Sequence, residues 1–427
     1  MTTPSMPSVR VLVVLPLYGG SLPVGRFVMS ALTSLGHTVE AFEAPDFYSA
    51  FTALKELRVF PEKYDYLEHE FVQFLSKAIL AKVETFEPDL VLSMAQAPLS
   101  RQALKRLRRD KVPTAMWFVE DHRVFPYWEV FAPLYDFFFV IQKEPFLSKL
   151  AGIGVENAMY LPMAADPNHH RPLELTVQEK RKYGSDISFL GAGYPNRRVA
   201  FRELLGFDLK IWGTEWDGDA NLAPYVQEEG RRIDPATAVK IYNASKINLN
   251  LHSSMQAKTL VTGDDFVNPR TFELAMCGAF QLVDNRQLLS EHFSSDELVT
   301  FDSMEGLKAQ IDTMLRDEDA RHVMAQRART RALAEHTYAA RMQCLLDFVA
   351  SRLPGWPHRA SYDTALSELP EAIRQQVGQL LERHGLRPEV SFTDLVWTLR
   401  KQSDPLSEME TAILFLDEWQ KQYGRQH

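Results

Sequence analysis

The chain has 427 residues, of which 45% are hydrophobic and 24% charged, and its formal net charge is −9. This length exceeds what one hydrophobic core usually fills, so we expect two domains plus an extension in an ordinary globular protein. The negative charge argues against general nucleic-acid binding, which needs a basic surface. The two cysteines, Cys277 and Cys344, exclude a disulfide framework and favour a reducing, cytoplasmic compartment.

Residues 1–165 are predicted to form a parallel α/β domain. The apolar run 11–15, within a strand predicted at 9–15, is short and is followed by Pro16 and two glycines, which is typical of a buried parallel strand and not of a signal peptide. No segment reaches the roughly 18 apolar residues that a membrane-spanning helix needs. Apolar spacing predicts the remaining elements, namely helices at 24–35 and 64–86 and strands at 37–42, 89–94, 114–119, 136–141 and 159–161.

A short basic helix is predicted after Ser100, a residue type that favours the N-cap position. Its apolar side chains face inward and five basic side chains face outward: Arg101, Lys105, Arg106, Arg108 and Arg109. Such a face is typical of a solvated amphipathic helix. Peripheral contact with an anionic membrane or an acidic acceptor stays open as the alternative.

Three titratable residues, Glu120, Asp121 and His122, directly follow the predicted strand 114–119. Ligands of open parallel sheets bind beyond the carboxyl ends of the strands, so these residues form a candidate catalytic cluster. The alternative is a hydrogen-bonded turn in which Asp121 caps a helix.

A second α/β domain is predicted over 180–353, after a proline-containing connector at 162–182. Its first strand, 186–190, is followed by Gly191, which lets the backbone approach a ligand closely. Arg197 and Arg198 stand at the start of the next helix, where they could clamp a diphosphate. The alternative is a plain turn with solvent-facing arginines.

The stretch 268–284 is predicted to be a polar loop, a helix of about two turns ended by Gly278, and a strand at 280–283. We expect the loop to place the Glu273 carboxylate in the first turn of the helix, among unpaired backbone N–H groups that can also hold a phosphate or a sugar hydroxyl. Cys277 lies on the apolar run and is predicted to be a small core residue.

The spacing Asp265-x7-Glu273, followed by Gly278, resembles the donor motif of glycosyltransferases with the GT-B fold, with Asp in place of the usual first Glu. The fuller string Asn268-x-Arg270-Thr-Phe-Glu273 is similar to that of the CgeB-like (spore-maturation-type) family. Three other segments share this similarity: 241–250, 291–293, and 336–338 with Arg341.

The resemblance implies two Rossmann-like domains that face a central cleft, an acceptor domain (1–165) and a donor domain (180–353). A helical extension over 358–427 lies outside it, and either recognises a partner or packs on the body. The implied reaction moves a sugar from a nucleotide-sugar, with a UDP-sugar favoured, to a glycan or protein acceptor, with no cofactor and no metal. The alternatives are a nucleotide-sugar epimerase of the same fold and a non-catalytic scaffold that binds a partner through the C-terminal helices. The oligomeric state stays open.

The resemblance also implies roles for residues of the donor half. Glu273 would hold the ribose hydroxyls of the donor. Arg198 and Arg270 would offset the charge that develops on the leaving diphosphate, a task that a metal performs in the other major glycosyltransferase fold. The loop before Glu273 would touch the sugar and the diphosphate through Asp265, Asn268 and Thr271.

On the acceptor side, one of Glu120, Asp121 and His122 would act as base or as a hydrogen-bond partner of the donor sugar. The sequence leaves open which of the three does so. Asp217 and Asp219 match the D-x-D pattern with which metal-dependent glycosyltransferases hold a divalent cation. Because so short a match arises often by chance, we expect no metal there.

Overall fold

Two parallel β-sheets form the centre of the protein. The computed structural model describes residues 7–257, 260, 266–357, 370–386 and 390–423. Asp265, one of the predicted donor-binding residues, lies outside these residues. Across the part of the chain that the structure describes, no helix combines the length and the apolar character needed to cross a membrane.

The first sheet has six strands in the order β2-β1-β3-β4-β5-β6. Every strand end lies within one residue of its predicted position, because each strand is a short apolar run between polar or glycine-containing segments. The order brings the carboxyl ends of β1, β3 and β4 together at one edge. The strands are β1 (Arg10–Val14), β2 (Thr38–Phe42), β3 (Leu90–Met94), β4 (Thr114–Phe118), β5 (Phe137–Val140) and β6 (Ala158–Tyr160).

The helices of this half flank the sheet: α1 (Ser21–Ser34), α2 (Tyr48–Lys55), α3 (Pro61–Phe86), α4 (Arg101–Arg109), α5 (Trp128–Phe131) and α6 (Phe146–Gly152). The short helices α2, α5 and α6 were not predicted, because each buries too few side chains to show a period. In the predicted basic helix, α4, the Ser100 hydroxyl accepts a hydrogen bond from the Ala103 backbone N–H at 3.3 Å. Arg106 pairs with Glu84 and Arg108 with Asp136, so part of the positive charge of α4 is neutralised within the domain.

The second sheet has five parallel strands in the order β11-β10-β9-β7-β8. They are β7 (Ile187–Leu190), β8 (Leu209–Trp212), β9 (Ile247–Asn250), β10 (Gln281–Asp284) and β11 (Val299–Phe301). The helices are α7 (Val177–Tyr183), α8 (Pro195–Arg202), α9 (Pro235–Ala244), α10 (Pro269–Met276), α11 (Met304–Arg316), α12 (Glu318–Glu335) and α13 (Tyr338–Arg352). Helix α7 lies in the predicted connector 162–182 except for its last residue, Tyr183, and begins at a capping box that Thr176 and Glu179 form.

The chain crosses between the two halves twice. It leaves the first sheet after β6 and returns through α13, which packs against α1 and adds Met342 and Leu346 to a core that contains side chains of both halves. The two crossings are bonded to each other, since the Ala165 N–H donates to the His336 carbonyl at 3.0 Å. Arg341 Nε also donates to the Pro162 carbonyl at 2.9 Å. The domain limits 1–165 and 180–353 therefore stay predictions, because α13 belongs to the second by chain order and to the first by packing.

The C-terminal region is helical as predicted, with α14 (Glu371–Arg383), α15 (Phe392–Lys401) and α16 (Glu408–Tyr423), which share a small apolar core. It packs on the first half through α15. Asp394 pairs with Arg10, and the Trp397 ring lies 4.9 Å from that of Phe86. These contacts support the view that the extension packs on the body.

Candidate active site

A cavity of about 440 Å³ lies between the two halves, at the carboxyl ends of their strands. The first half contributes Glu120 and Asp121 to its lining, and the second contributes Tyr194, Ser254 and Phe266. This is the position at which open α/β sheets bind ligands.

Glu120 is oriented by two hydrogen bonds. The Tyr127 hydroxyl donates to its carboxylate at 2.7 Å, and Gln96 Nε2 donates to the other oxygen. Burial raises the pKa of Glu120, and the two hydrogen bonds offset that effect only in part. A partly buried carboxylate with a raised pKa at a cleft is suited to accept a proton near neutral pH.

Asp121 has a different environment, because it receives hydrogen bonds from Arg123. The Arg123 N–H and Nη2 lie 3.0 and 2.8 Å from the carboxylate. Burial alone would raise the pKa of Asp121, but the bonds from Arg123 outweigh it and the pKa is lowered. Asp121 thus matches the predicted alternative of a hydrogen-bonded turn, although it also lines the cavity.

His122 points into the first half and does not line the cavity. Its ring stacks on Phe146, with centroids 4.3 Å apart. Nδ1 lies 3.0 Å from Gln142 Oε1, an acceptor, so Nδ1 carries the proton. Nε2 faces Lys149 Nζ at 3.4 Å. The structure therefore brings Glu120 and Asp121 to the cleft and leaves His122 in the core.

On the donor side, Asn268 and Thr271 fix the start of α10. Asn268 is the N-cap and its Oδ1 accepts from the Thr271 N–H at 3.1 Å. Asn250, at the end of β9, donates to Thr271 Oγ1 and accepts from Asn268 Nδ2, both at 2.8 Å. All three side chains are buried. The two predicted donor-binding residues thus hold the helix against the edge of the sheet.

Glu273 lies in the second turn of α10 and not in the first, so that part of the prediction is wrong. The helix starts earlier than expected because Asn268 and Pro269 form a cap and a first helical residue. The Glu273 carboxylate accepts from the Tyr242 hydroxyl at 3.1 Å and lies 3.9 Å from His170 Nε2. Burial raises its pKa, and Arg270 offsets part of that rise.

Two guanidinium groups, those of Arg197 and Arg270, lie 5.0 and 4.9 Å from the centre of the Phe189 ring. Arg197 is buried and donates to the Leu251 and Ala192 carbonyls at 3.0 and 2.9 Å. Burial, followed by the charge of Arg270, lowers the pKa of Arg197 to about 9. The charge of Arg270 thus disfavours the charged form of Arg197, an effect that a bound anion would offset.

Arg270 is the less satisfied of the two. Its Nη1 makes one long hydrogen bond, 3.4 Å, to Asn250 Oδ1, and its buried Nε has no partner among the described residues. Gly191 leaves room for this side chain, because a Cβ there would lie 2.7 Å from Arg270 Nη2. Buried guanidinium donors without partners indicate a missing acceptor group.

Arg198 is held by backbone carbonyls. Its Nε donates to Gly193 at 2.8 Å, its Nη1 to Asp217 at 2.8 Å, and its Nη2 to Glu215. The side chain thus fastens the loop after β8 to the turn after β7. Each of the three Arg198 nitrogens thus donates to a backbone carbonyl, so the arrangement lends no support to the predicted diphosphate contact.

The D-x-D pattern is also explained by local structure. Asp219 is buried and pairs with Arg202 at 2.9 Å. Among the described residues, no group of three or more His, Cys, Asp or Glu side chains is arranged to hold a metal ion.

A buried hydrogen-bonded network next to the start of α10 was not predicted from the sequence. Arg286 donates to Asp284 at 2.6 and 2.8 Å, and Asp284 Oδ1 lies 2.6 Å from His252 Nδ1. His252 Nε2 in turn accepts the Asn268 backbone N–H at 2.9 Å. The sequence feature that could have predicted this network is the presence of a polar residue at the carboxyl end of each of two adjacent strands: His252 after β9 and Asp284 at the end of β10.

Part of the chain is similar in sequence to known proteins. Residues 196–347 match the model of the Glycosyl transferase-like family. Spore protein CgeB of Bacillus subtilis (strain 168) is 28% identical over 215 residues, which cover 48% of this chain and 66% of that protein, just under two thirds.

Solved structures show the fold of the chain. A sucrose-phosphate synthase from Thermosynechococcus elongatus has a TM-score of 0.55 at 13% identity, covering 81% of this chain and 100% of that one. Anabaena HepE in complex with UDP-glucose has a TM-score of 0.55 at 11% identity, covering 80% of this chain and 100% of that one. The predicted family resemblance and the predicted GT-B fold are confirmed.

Proposed function

We propose that this protein is a glycosyltransferase that moves a sugar from a UDP-sugar to an acceptor hydroxyl without a bound metal. The observation that carries the proposal is the pair of guanidinium groups of Arg197 and Arg270 at the Phe189 ring, with the carboxylate of Glu273 close enough to Arg270 to interact with its charge. The family match over residues 196–347 supports glycosyl transfer. The UDP-glucose in HepE, a protein of the same fold, favours a UDP-sugar.

The second half of the protein supplies positive charge for the diphosphate and holds the UDP-sugar in position. Arg270 has unpartnered donors for the diphosphate oxygens, and a guanidinium can bind two such oxygens through parallel N–H groups. Arg197 adds a second positive charge that is already fixed in place, so little reorganisation is needed as negative charge grows on the leaving group. Glu273 offers a carboxylate to the ribose hydroxyls.

In the reaction, the acceptor oxygen bonds to the anomeric carbon while the bond from that carbon to the diphosphate oxygen breaks. The nucleoside diphosphate leaves with the electron pair, and the hydroxyl proton passes to Glu120. We assign this role to Glu120 because, of the three candidates after β4, it has the raised pKa and lies at the cleft.

Calorimetric titration with UDP, GDP and dTDP tests the proposal. We expect UDP to bind the wild type and to bind Glu273→Gln on the order of tenfold more weakly, a loss of about 1.4 kcal/mol. Glu305→Gln, an exposed carboxylate on α11, is the matched control and should leave binding unchanged. Absence of binding by the wild type, or equal binding by Glu273→Gln, would refute it. Conversion of a donor with no acceptor present would indicate an epimerase instead.

We further propose that the reaction takes place in the cytoplasm. Cys277 is buried and Cys344 exposed, and the two are not bridged to each other. Free thiols are what a reducing compartment maintains.

A further inference from the structure

A second cavity, of about 410 Å³, lies wholly within the first half. It opens at the carboxyl ends of β1 and β3, the same edge of the sheet at which Glu120 stands. Aromatic side chains from three separate segments line it: Tyr18, Phe51 and Phe131. A concave site with several aromatic walls is the usual form of a small-molecule site.

The Tyr18 ring lines this cavity and offers a surface on which a ligand can stack. It is 47% exposed, and its other neighbour is the Tyr48 ring, with centroids 5.2 Å apart. An exposed aromatic ring that is supported from behind can stack against a ligand without losing much side-chain freedom.

The polar part of the lining includes three side-chain amides, those of Gln73, Gln96 and Gln102, and one charge of each sign, Glu68 and Arg101, beside His69 and Ser100. Gln73 Nε2 lies 3.3 Å from Gln102 Oε1 and 3.4 Å from His69 Nε2. An amide both donates and accepts hydrogen bonds. A hydroxyl group requires that combination, so the lining is suited to a neutral ligand rich in hydroxyls.

Gln96 connects this cavity with the interdomain cleft. It lines the cavity, and its Nε2 donates to the carboxylate of Glu120, which lines the cleft. The Tyr127 hydroxyl accepts from the Gln96 N–H at 3.1 Å and donates to Glu120 at 2.7 Å. The wall between the two spaces is thus a single layer of hydrogen-bonded side chains.

We propose that this cavity binds the acceptor and that the acceptor is a carbohydrate. A sugar ring stacks on Tyr18, Gln73 and Gln102 bind its hydroxyls, and one hydroxyl extends past Gln96 to the carboxylate of Glu120. That hydroxyl oxygen then bonds to the anomeric carbon of the donor as the diphosphate leaves, and its proton passes to Glu120. The proposal rests on the proposed glycosyl transfer, and it favours a sugar over a peptide because a cavity of about 410 Å³ that three aromatic rings line matches the size and the apolar face of a sugar ring.

Saturation-transfer NMR on the full chain tests the proposal, with and without UDP. The probes are the methyl glycosides of glucose, galactose, mannose, rhamnose and N-acetylglucosamine, and a serine- and threonine-containing peptide. We expect at least one glycoside to bind, and its affinity to fall on the order of tenfold in Tyr18→Ala and in Gln102→Ala. Tyr18→Phe should retain most of the affinity.

The control is Tyr66→Ala, which removes a ring that is 60% exposed on α3 and does not line the cavity. It should leave glycoside binding unchanged, and all variants should bind UDP like the wild type. Binding of the peptide alone, of no probe, or of a glycoside equally by Tyr18→Ala would overturn the carbohydrate site. Failure of the wild type to bind UDP would instead overturn the proposed function, since glycoside binding is measured without UDP as well.

Discussion

His252 Nδ1 lies 2.6 Å from Asp284 Oδ1, and both side chains are completely buried. The imidazole donates to this carboxylate and accepts the Asn268 N–H, so only the neutral tautomer with the proton on Nδ1 satisfies both contacts. The pair therefore fixes the end of the loop that leads into α10. The position of Asn268 at the start of α10 depends on it, although neither side chain lines the cleft cavity.

The first prediction concerns acid stability. Burial lowers the pKa of His252 to about 4, so between pH 6.5 and about 4 the unfolded chain binds a proton that the folded chain does not. The free energy of unfolding should accordingly fall as pH drops through this window, by on the order of 3 kcal/mol from His252. Burial also lowers the pKa of His170 and of His292, each to about 3. These two histidines should therefore also make the free energy of unfolding fall as pH drops.

Urea denaturation at a series of pH values measures this effect. His252→Gln should be less stable than the wild type at pH 7 but should show a shallower loss of stability between pH 6.5 and 4. The matched control is His69→Gln, because His69 is exposed. An unchanged slope in His252→Gln would contradict the prediction.

The second prediction concerns the cations of the donor site. Arg270→Ala should lower kcat on the order of a hundredfold, because it removes the unpartnered donors aimed at the leaving diphosphate. Arg270→Lys should recover only part of this loss, since a lysine retains the charge but not the fork of parallel donors. Initial rates of UDP release measure both. Arg316→Ala, at the exposed end of α11, serves as the control, and a loss of equal size there would point to a general charge effect.

The third prediction separates the roles of Glu120 and His122. Glu120→Gln should reduce kcat by on the order of a hundredfold or more, because the amide cannot accept the proton. UDP affinity should stay near that of the wild type, because glutamine has nearly the same shape as glutamate. The wild-type rate should fall as pH drops through the raised pKa of Glu120. His122→Ala should instead lower the melting temperature and leave the rate per folded molecule nearly unchanged. A pH–rate profile together with thermal melts distinguishes these outcomes.

The fourth prediction concerns Gly191. A methyl group there would lie 2.7 Å from Arg270 Nη2 and 3.0 Å from Phe189 Cζ, so Gly191→Ala should displace the guanidinium and weaken UDP binding on the order of tenfold. Gly206→Ala is the control, because a Cβ at Gly206 meets nothing within 4 Å. Calorimetry on the two variants checks the prediction, and equal affinities would show that Arg270 does not need this space.

Much of the fold could be predicted from the sequence, because each strand is a short apolar run and each is bounded by polar, proline or glycine residues. The start of α10 was misplaced because Asn268-Pro269 was interpreted as loop, although Asn before Pro is also a cap followed by a first helical residue. That shift moved Glu273 by one turn.

Other features depend on contacts between distant segments, which no local pattern contains. Arg197 and Arg198 are adjacent, and only the packing of α8 shows that one guanidinium lies beside Phe189 while the other holds a loop. His252 and Asp284 are far apart in sequence and meet because β9 and β10 are neighbours in the sheet. The direction of the His122 side chain likewise follows from Phe146, which lies on another element.

The hydrogen bond between Ala165 and His336 joins the two places where the chain passes from one half to the other. Opening of the cleft must therefore pivot about this point, since both covalent links run through it. Cutting the chain in the 162–176 segment should not release the halves from each other, because α13 would still hold them together. Conversely, the second half expressed alone would present the apolar side of α13 to water and should aggregate, whereas co-expression with residues 7–161 should keep it in solution.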